Sequence, residues 1–281
     1  MTGNRWHEIR MPSGADGRVW ELFHENSKTS RYAGFLPDDV IYERTLRMSE
    51  SLSFDLYPII DLPSSRVDLR LSLEEAIITR TTARSMQRCP LTLEYIGTVL
   101  YYACGTTRDN KGSPFPRPFR TTPSGGALYP LEIFFHSMGV AGLEHGIYHY
   151  NPTQNNLRFI YAGDLSPRIA EAMVQSSIVF ESSLVIFVTA LFERSTFKYG
   201  DRGYRFVLLE AGHVAQNINL VSNALGLGCV NVGGYFDRQI DQLLGIDGVG
   251  HSTIYIIGIG KNDEEPRLNA FVDDPSHAGS K

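Results

Sequence analysis

Two strand-length apolar runs, Leu184–Leu191 and Ile254–Ile259, restrict the folds that this chain can adopt. Both runs contain several β-branched residues and no charged residue. Such runs are typical of strands buried on both faces, because a strand with one exposed face alternates apolar and polar residues. Neither run approaches the roughly 20 apolar residues of a membrane-spanning helix. The sequence therefore predicts a globular protein with a deeply buried sheet and no membrane partner.

Helix and strand patterns surround these runs. Ser72 and Glu75 have the spacing of a capping box, which marks a helix start. Thr92 and Gly105 are suited to begin and end a second helix. The predicted helices cover Val19–Asn26, Leu73 towards Arg84, the segment from Thr92 to Gly105, Ser166 to about Gln175, Asp201–Leu227 and Asp237–Leu244, and the predicted strands cover Leu131–Met138, Gly146–Tyr150, Leu157–Tyr161, Leu184–Leu191, Cys229–Gly233 and Ser252–Gly260. Helices followed by mixed strands and helices favour an α+β fold.

The 281 residues fit one main domain with two extensions. Residues 1–70 show weak periodicity and frequent Pro and Gly, which is typical of an N-terminal arm rather than a domain. Residues 71–265 are predicted to form the α+β domain, and residues 266–281 a C-terminal tail. Within the domain, residues 106–126 form a loop rich in Gly, Pro, Arg and Thr. A loop of this length is usually functional or disordered.

Composition excludes several classes of protein. With 26 basic and 31 acidic residues the net charge is −5, which argues against a nucleic-acid binder. A hydrophobic fraction of 42% excludes wholesale disorder. Three widely spaced cysteines without a CxxC pair give no structural zinc motif. Residues 1–10 carry charges and lead into no apolar stretch, so they do not form a secretory signal. We expect a reduced, cytoplasmic protein.

Other familiar motifs fail on their context. The segment Gly226–Asn231 contains half of a dinucleotide fingerprint, but it runs from helix to strand instead of strand to helix. Lys261 follows a glycine and a strand, yet no helix follows it, so a Walker site is rejected. His145 and His149 are four residues apart in a predicted strand, too distant to share a metal ion, and are expected to be exposed or to lie in the hairpin. His213 is predicted to be a hydrogen-bonded core histidine rather than a catalytic one.

The run Arg80-Thr81-Thr82-Ala83-Arg84 would place two guanidinium groups one helical turn apart, with a hydroxyl between them. Like charges at this spacing repel by a few tenths of a kcal/mol, ~0.2–0.5, unless an anion neutralises them. Two guanidinium groups and a hydroxyl would form a good phosphate clamp. The simpler interpretation, a solvated basic face, is the one that this motif favours when taken alone.

A second motif, Pro123-Ser124-Gly125-Gly126-Ala127-Leu128-Tyr129-Pro130, joins small residues to a Tyr-Pro pair. Small residues allow the backbone to approach a flat ligand closely, with amide N–H groups that can bond it. The alternative is a tight turn before a strand.

Together these motifs resemble the flavin-dependent nitroreductase superfamily, and more narrowly its azoline-oxidase branch, the SagB-type dehydrogenases. The resemblance covers about residues 72–261. It implies a phosphate site formed by residues 80–84 and by Lys261 after the last strand. It also implies a flavin-ring loop at residues 123–130 and a backbone contact over the ring from Gly233-Gly234, at the end of the strand before the last one. The residues that would bind FMN are Arg80, Thr82, Arg84, Pro123, Ser124, Gly125, Gly126, Leu128, Gly233, Gly234 and Lys261, with no metal ligand.

The resemblance also implies an architecture and an activity. The fold would be a nitroreductase-like α+β sandwich, with a central mixed or antiparallel sheet flanked by helices. Two chains would form a homodimer and share two FMN sites. The activity would be oxidation of thiazoline or oxazoline rings to thiazoles or oxazoles, with hydride passing to the flavin N5 and dioxygen as the final acceptor. The substrate would be a peptide or a carrier-bound azoline, and a cyclodehydratase would be a partner.

The branch-specific run Lys198-Tyr199-Gly200-Asp201-Arg202-Gly203-Tyr204-Arg205, with Leu209-Glu210-Ala211-Gly212-His213 after it, implies the catalytic pair Lys198 and Tyr199. Azoline oxidation must remove a ring proton, so a base is needed near the substrate. Lysine and tyrosine side chains have reference pKa values of about 10.4 and 10. The amino end of a helix starting at Asp201 would favour both the neutral amine and the phenolate. Burial beside the flavin would lower the lysine pKa further but raise the tyrosine pKa, whereas the Asp201 carboxylate would hold Lys198 protonated. Without the flanking match, the simpler interpretation is a pair of surface residues at a helix start. We therefore expect Lys198 to be the base and Tyr199 a proton donor or orienting group, although the reverse assignment stays open.

Three other functions fit the same sequence. An NAD(P)H-dependent nitro- or quinone-type reductase needs no base, because its acceptor collects protons from solvent. An FMN dehydrogenase could act on another natural-product intermediate. A catalytically silent partner protein could keep the fold as a scaffold, although the intact phosphate set weighs against this.

Overall fold

A central antiparallel sheet organises the protein in a computed structural model that describes residues 18–31, 34, 36–112 and 117–263. The helices are α1 (Val19–Asn26), α2 (Asp38–Arg47), α3 (Leu73–Thr79), α4 (Leu93–Cys104), α5 (Ser166–Glu171), α6 (Ser177–Glu181), α7 (Glu193–Tyr199), α8 (Asp201–Ala224) and α9 (Asp237–Leu244). The strands are β1 (Ile59–Asp61), β2 (Met86–Gln87), β3 (Thr106–Arg108), β4 (Phe119–Arg120), β5 (Leu131–Ser137), β6 (Gly146–Asn151), β7 (Asn156–Ala162), β8 (Leu184–Leu191), β9 (Gly228–Val232) and β10 (His251–Asn262).

Over the described residues, the sheet has eight strands: seven follow the order β1-β7-β6-β5-β8-β10-β2, and β9 also pairs with β10. Every pairing between these strands is antiparallel. The predicted hairpin is confirmed, since β6 pairs with β7 from Gly146 opposite Ala162 to Asn151 opposite Asn156. β3 and β4 form a separate two-stranded sheet.

Strand β8 shows why the sheet needs cover on both sides. Leu184, Ile186 and Val188 belong to one apolar core, whereas Val185 and Phe187 belong to the other. The first core lies under α4 and α8, and the second under α5, α6 and α9. The protein is therefore a three-layer α+β sandwich, as the family resemblance implied, and β8 is buried on both faces, as its apolar run predicted.

The arm and the tail differ in how far the structure describes them. Val19–Asn26 is helical, as predicted. Helix α2 and strand β1 were not predicted; β1 forms an edge of the sheet, with Ile59 opposite Arg158. The predicted tail at residues 266–281 lies outside the described residues. In the described part of the chain, no helix combines the length and apolarity that crossing a membrane requires.

Two predicted helices end earlier than expected, and the predicted 106–126 loop contains regular structure. The helix that begins at Leu73 ends at Thr79, because the chain then turns extended and the amide of Ala83 donates to the carbonyl of Cys229 at 3.0 Å. The helix predicted from Ser166 to about Gln175 ends at Glu171, and α6 follows it. The 106–126 loop contains the β3–β4 pair and a 3-10 turn at Gly125–Ala127.

Candidate active site

The segment predicted as the flavin-ring loop folds around the hydroxyl of Ser124. Its oxygen accepts a hydrogen bond from the amide of Tyr129 at 2.9 Å, and its carbonyl accepts one from the amide of Ala127 at 3.1 Å. Between them lies the 3-10 turn, in which Gly126 has φ 68°, a conformation that favours glycine. Pro123 is exposed, whereas the side chain of Leu128 is buried. Leu128 could therefore offer a ligand only its backbone.

Lys198 and Tyr199 lie directly against this loop. A β-carbon at Gly126 would be 2.5 Å from the Tyr199 hydroxyl oxygen and 3.1 Å from Lys198 Nζ. The ring of Tyr199 packs edge-on against Phe206 at 4.9 Å, and Phe206 in turn lies beneath Gly125. The structure thus brings the two predicted catalytic residues to the loop predicted to contact the flavin ring.

Two helix ends meet at these residues. Lys198 and Tyr199 form the last turn of α7, and α8 begins after Gly200 at Asp201 as predicted. The carboxyl end of α7 attracts a cation, whereas the amino end of α8 repels one. The sequence reasoning considered only α8, because α7 was not predicted.

The predicted phosphate ligands form a second group at the edge of the sheet. The segment from Arg80 to Arg84 is not helical, so these arginines are not one helical turn apart as predicted. The amide bond from Ala83 to Cys229 fixes this segment beside the start of β9. A β-carbon on Gly228 would touch both Ala83 and Asn262. Lys261, which precedes Asn262 on β10, lies in the same region.

These groups have the charge and exposure that a phosphate site needs. Thr82, Arg84 and Lys261 are exposed and Arg80 is half-buried. No ion pair joins Arg80, Arg84 or Lys261 to a carboxylate among the residues that the structure describes. Three cations without acidic partners and one hydroxyl fit a bound phosphate.

The predicted glycine pair lies at the other end of β9. Gly233 is exposed, and no described atom comes within 4 Å of where its β-carbon would be. Its neighbour Gly234 accepts a hydrogen bond from the amide of Val174 at 2.9 Å. Gly233 also borders a cavity of about 620 Å³ that Tyr204 and Leu208 of α8 line from the opposite side.

The ring loop and the phosphate group lie at opposite ends of α8. Phe206 contacts the ring loop near the start of this helix, whereas Asn223 near its end donates to Thr79 Oγ1 at 2.7 Å, next to Arg80. Seventeen residues of helix separate the two positions, a rise of about 25 Å at ~1.5 Å per residue.

A buried ionic network that sequence reasoning missed supports the ring loop. Arg194 of α7 donates to Glu132 at 2.6 Å and to the carbonyl of Tyr129 at 3.3 Å. The other oxygen of Glu132 lies 2.7 Å from Nε2 of His149, which lies in the β6–β7 hairpin, one of the two expected places, and is fully buried there. Burial raises the pKa of Glu132, but the hydrogen bond and charge of His149 and the charge of Arg194 outweigh it and lower the pKa to about 2. The network ties α7, and with it Lys198, to the end of the loop.

A second buried carboxyl group faces the loop from α8. Glu210 lies opposite Ser124 and hydrogen-bonds its side chain. Burial raises the pKa of Glu210 to about 7, and the bond with Ser124 opposes the shift. His213, one turn further along α8, is exposed rather than part of the core. The signal for Glu210 was its place in the branch-specific run, which gave it no role.

Comparison with known proteins decides the family. Residues 77–261 match the model of the Nitroreductase family, which is more than half of the chain. The chain belongs to the nitroreductase family. The family resemblance found in the motifs is thereby confirmed, together with the sandwich fold. Members of this family are oxidoreductases that typically depend on flavin.

Three individual proteins are similar to this chain in sequence. The nitroreductase-like protein MJ1384 of Methanocaldococcus jannaschii is 38% identical over 176 residues, which are 63% of this chain and 85% of that protein. The microcin B17-processing protein McbC of Escherichia coli is 32% identical over 152 residues, covering 48% of this chain and 52% of McbC. The trifolitoxin-processing protein TfxB of Rhizobium leguminosarum bv. trifolii is 31% identical over 184 residues, covering 60% and 48%. The chain thus spans about half the length of McbC and TfxB.

Two solved structures share the fold. A nitroreductase-like protein from Anabaena variabilis superposes with a TM-score of 0.69 and 25% identity, over 90% of this chain and 49% of that one. The Escherichia coli microcin synthetase McbBCD, in complex with truncated pro-MccB17, gives a TM-score of 0.56 and 20% identity, over 88% of this chain and 93% of the matched one.

Proposed function

We propose that this nitroreductase-family chain is an FMN-dependent dehydrogenase that oxidises thiazoline or oxazoline rings to thiazoles or oxazoles in a peptide-type natural product. The observation that carries the proposal is the contact of Lys198 and Tyr199 with Gly126 in the ring loop. It puts two groups able to exchange protons beside the place where a flavin ring would bind. The similarity to McbC and TfxB, which process microcin B17 and trifolitoxin, supports a peptide-type substrate.

FMN would be held by both groups of residues. Arg80, Thr82, Arg84 and Lys261 would hold its phosphate. The backbone at Ser124, Gly125, Gly126 and Leu128, bordered by Pro123, would face its ring, with Gly233 and Gly234 over it. The bound FMN would accept a hydride from the azoline ring and later pass the electron pair to dioxygen.

Because the two groups lie about 25 Å apart along α8, at ~1.5 Å per residue, we propose that each site takes its phosphate group from one chain and its ring loop from the partner. A homodimer with two-fold symmetry completes both sites at once. A separation of about 25 Å, at ~1.5 Å per residue, exceeds the length of one FMN molecule, which supports the shared arrangement.

The proton chemistry would fall to Lys198 and Tyr199. Aromatisation of the azoline removes one hydride and one proton from neighbouring ring carbons. We assign the proton to Lys198 Nζ, with the Tyr199 hydroxyl as orienting group or donor. Lys198 Nζ lies 5.2 Å from the centre of the Tyr199 ring, so both groups face the same part of the site. A positioned base typically contributes about 10²–10⁴-fold to the rate.

A cyclodehydratase is the proposed partner. It would supply the azoline, because ring closure of a cysteine or serine residue must precede its oxidation. The fold shared with a chain of the McbBCD synthetase, which binds truncated pro-MccB17, supports an assembly of this kind.

An NAD(P)H-dependent reductase is the second candidate. The higher identity to the nitroreductase-like MJ1384, 38% against 32% for McbC, favours it. Such a reductase would not need Lys198 as a base.

Anaerobic bleaching of the flavin distinguishes the two candidates. Purified protein loaded with FMN is mixed with a thiazoline peptide in one cuvette and with NAD(P)H in another. Bleaching by the thiazoline alone supports the dehydrogenase, and bleaching by NAD(P)H alone supports the reductase. In the dehydrogenase, Lys198→Ala would keep FMN and lose at least about 100-fold in bleaching rate, while Lys111→Ala, at an exposed loop position, would behave as wild type. Unchanged bleaching by Lys198→Ala would remove the lysine from the mechanism.

A further inference from the structure

A small polar cavity lies on the side of Lys198 and Tyr199 that faces the N-terminal arm. Its volume is about 290 Å³, at the lower end of the roughly 300–1,000 Å³ of small-molecule pockets. One wall comes from the arm and the other from the α7–α8 junction. Its lining includes Ser27, Lys28, Thr29, Lys198, Tyr199 and Arg202.

Two arginines of the branch-specific run hold the arm in place. Arg205 donates through Nε to Ser27 Oγ at 2.7 Å, and through Nη2 to the carbonyl of His24. Arg202 donates to the carbonyl of Ser27 at 3.4 Å. Ser27 is itself buried, although its neighbour Lys28 is exposed. The end of α1, the first helix of the arm, is therefore held against α8 by hydrogen bonds.

Aromatic packing extends the same contact. Phe23 of α1 meets Tyr204 of α8 edge-on at 5.3 Å, and the Arg205 guanidinium lies 5.7 Å from the Phe23 ring. A planar guanidinium that bonds two groups and covers a ring cannot be replaced equally by lysine. The function proposed above assigns no task to Arg202, Tyr204 or Arg205.

We infer that the arm segment Asn26–Thr29, clamped by Arg205 and Arg202, forms a subsite for the peptide that flanks the reacting azoline. This inference rests on the proposed function. The cavity shares Lys198 and Tyr199 with the ring loop, so a peptide in it would continue directly from a ring at the flavin. Its lining of amide, hydroxyl and cationic groups suits peptide carbonyls, and the carboxylate of Asp201 suits peptide N–H groups. Arg202 and Arg205 act as positioning residues, because they shape the wall.

The test compares two substrates in the full-length, FMN-loaded protein: a thiazoline within a peptide of about ten residues, and a small thiazoline carboxamide without flanking residues. We expect Arg205→Ala to raise KM for the peptide about tenfold, with little change in kcat. It should leave the small compound unaffected. Arg205→Lys should give an intermediate KM, and Arg168→Ala, an exposed arginine on α5, should match wild type.

Amide hydrogen exchange gives a readout that does not depend on turnover. Exchange over residues 23–29 should be at least tenfold faster in Arg205→Ala than in wild type, while α9 should not change. An unaltered KM for the peptide, in an enzyme whose wild type oxidises both compounds, would overturn the subsite. Oxidation of neither compound by wild type would overturn the proposed function and the subsite with it.

Discussion

Gly126 and Tyr199 are in such close contact that no β-carbon fits between them: it would lie 2.5 Å from the phenol oxygen. Gly126 also has φ 68°, which costs a non-glycine residue about 1–2 kcal/mol. We therefore expect Gly126→Ala to displace Tyr199 and lower the proposed azoline oxidation about 100-fold, as small displacements of reacting groups do. The loss of unfolding free energy should be only about 1–2 kcal/mol. Steady-state rates and urea denaturation would measure the two effects.

The matched control is Gly97→Ala on α4. There a β-carbon would meet Leu62 at 3.7 Å, an ordinary contact far from the loop. This variant should keep full activity and gain up to about 1 kcal/mol of stability, because alanine favours helix. If Gly126→Ala retained normal activity, the contact would have no part in catalysis.

The raised pKa of Glu210 predicts that the free energy of unfolding falls as the pH rises. Its pKa is about 7 in the folded protein, against an ordinary value of 4.5. Between these values the folded state holds a proton that the unfolded state releases, so the stabilisation is complete below pH 4.5 and is lost as the pH passes 7. The total loss is about 3 kcal/mol, at ~1.4 kcal/mol per pKa unit.

Glu210→Gln should remove this dependence. Its unfolding free energy should exceed that of wild type at pH 8, and the difference should shrink towards pH 5. Urea denaturation at several pH values would measure it, with Glu171→Gln, an exposed glutamate on α5, as the control. Parallel pH curves for wild type and Glu210→Gln would show that the carboxyl group titrates normally.

Arg194 and Arg47 offer a comparison of buried and exposed ion pairs. Arg194 bonds the buried Glu132 at 2.6 Å, whereas Arg47 pairs with Glu43 at 3.4 Å with both side chains largely exposed. Arg194→Met should cost about 3–5 kcal/mol, because it removes the guanidinium that compensates the buried charge of Glu132, even though His149 still bonds the other carboxylate oxygen. Arg47→Met should cost at most about 0.5 kcal/mol. Similar costs for the two variants, measured by urea denaturation, would contradict the role given to the buried network.

The parts of this fold that sequence alone predicted are those with local signals. The apolar composition of β8 and β10 predicted that these strands are buried, and α8 begins at Asp201 as predicted. The conformation of the Arg80–Arg84 segment was missed because the partner of Ala83 is Cys229, far along the chain. Local propensity cannot register such a partner.

The candidate site likewise has parts that local sequence signals predicted and parts that depend on distant partners. The ring loop and Lys198-Tyr199 were identified from motifs, but their contact through Gly126 is tertiary. Helix α7 was missed because it has only seven residues and its buried arginine, Arg194, bonds a glutamate 62 residues earlier. A buried ion pair between distant residues leaves no periodic pattern, so the support beneath the site could only be found in the structure.

The shared dimer site can be tested by mixing two inactive variants. Arg84→Ala removes a phosphate ligand, and Lys198→Ala removes the proposed base. If the phosphate group and ring loop of each site come from different chains, a heterodimer has one site with both defects and one intact site. Random mixing of equal amounts gives half heterodimers, so refolding the variants together should restore about one quarter of wild-type azoline oxidation. If each site were built within one chain, every site in the mixture would carry a defect and no activity would return. Each variant refolded alone is the control, and flavin fluorescence would show that Lys198→Ala still binds FMN whereas Arg84→Ala binds it more weakly.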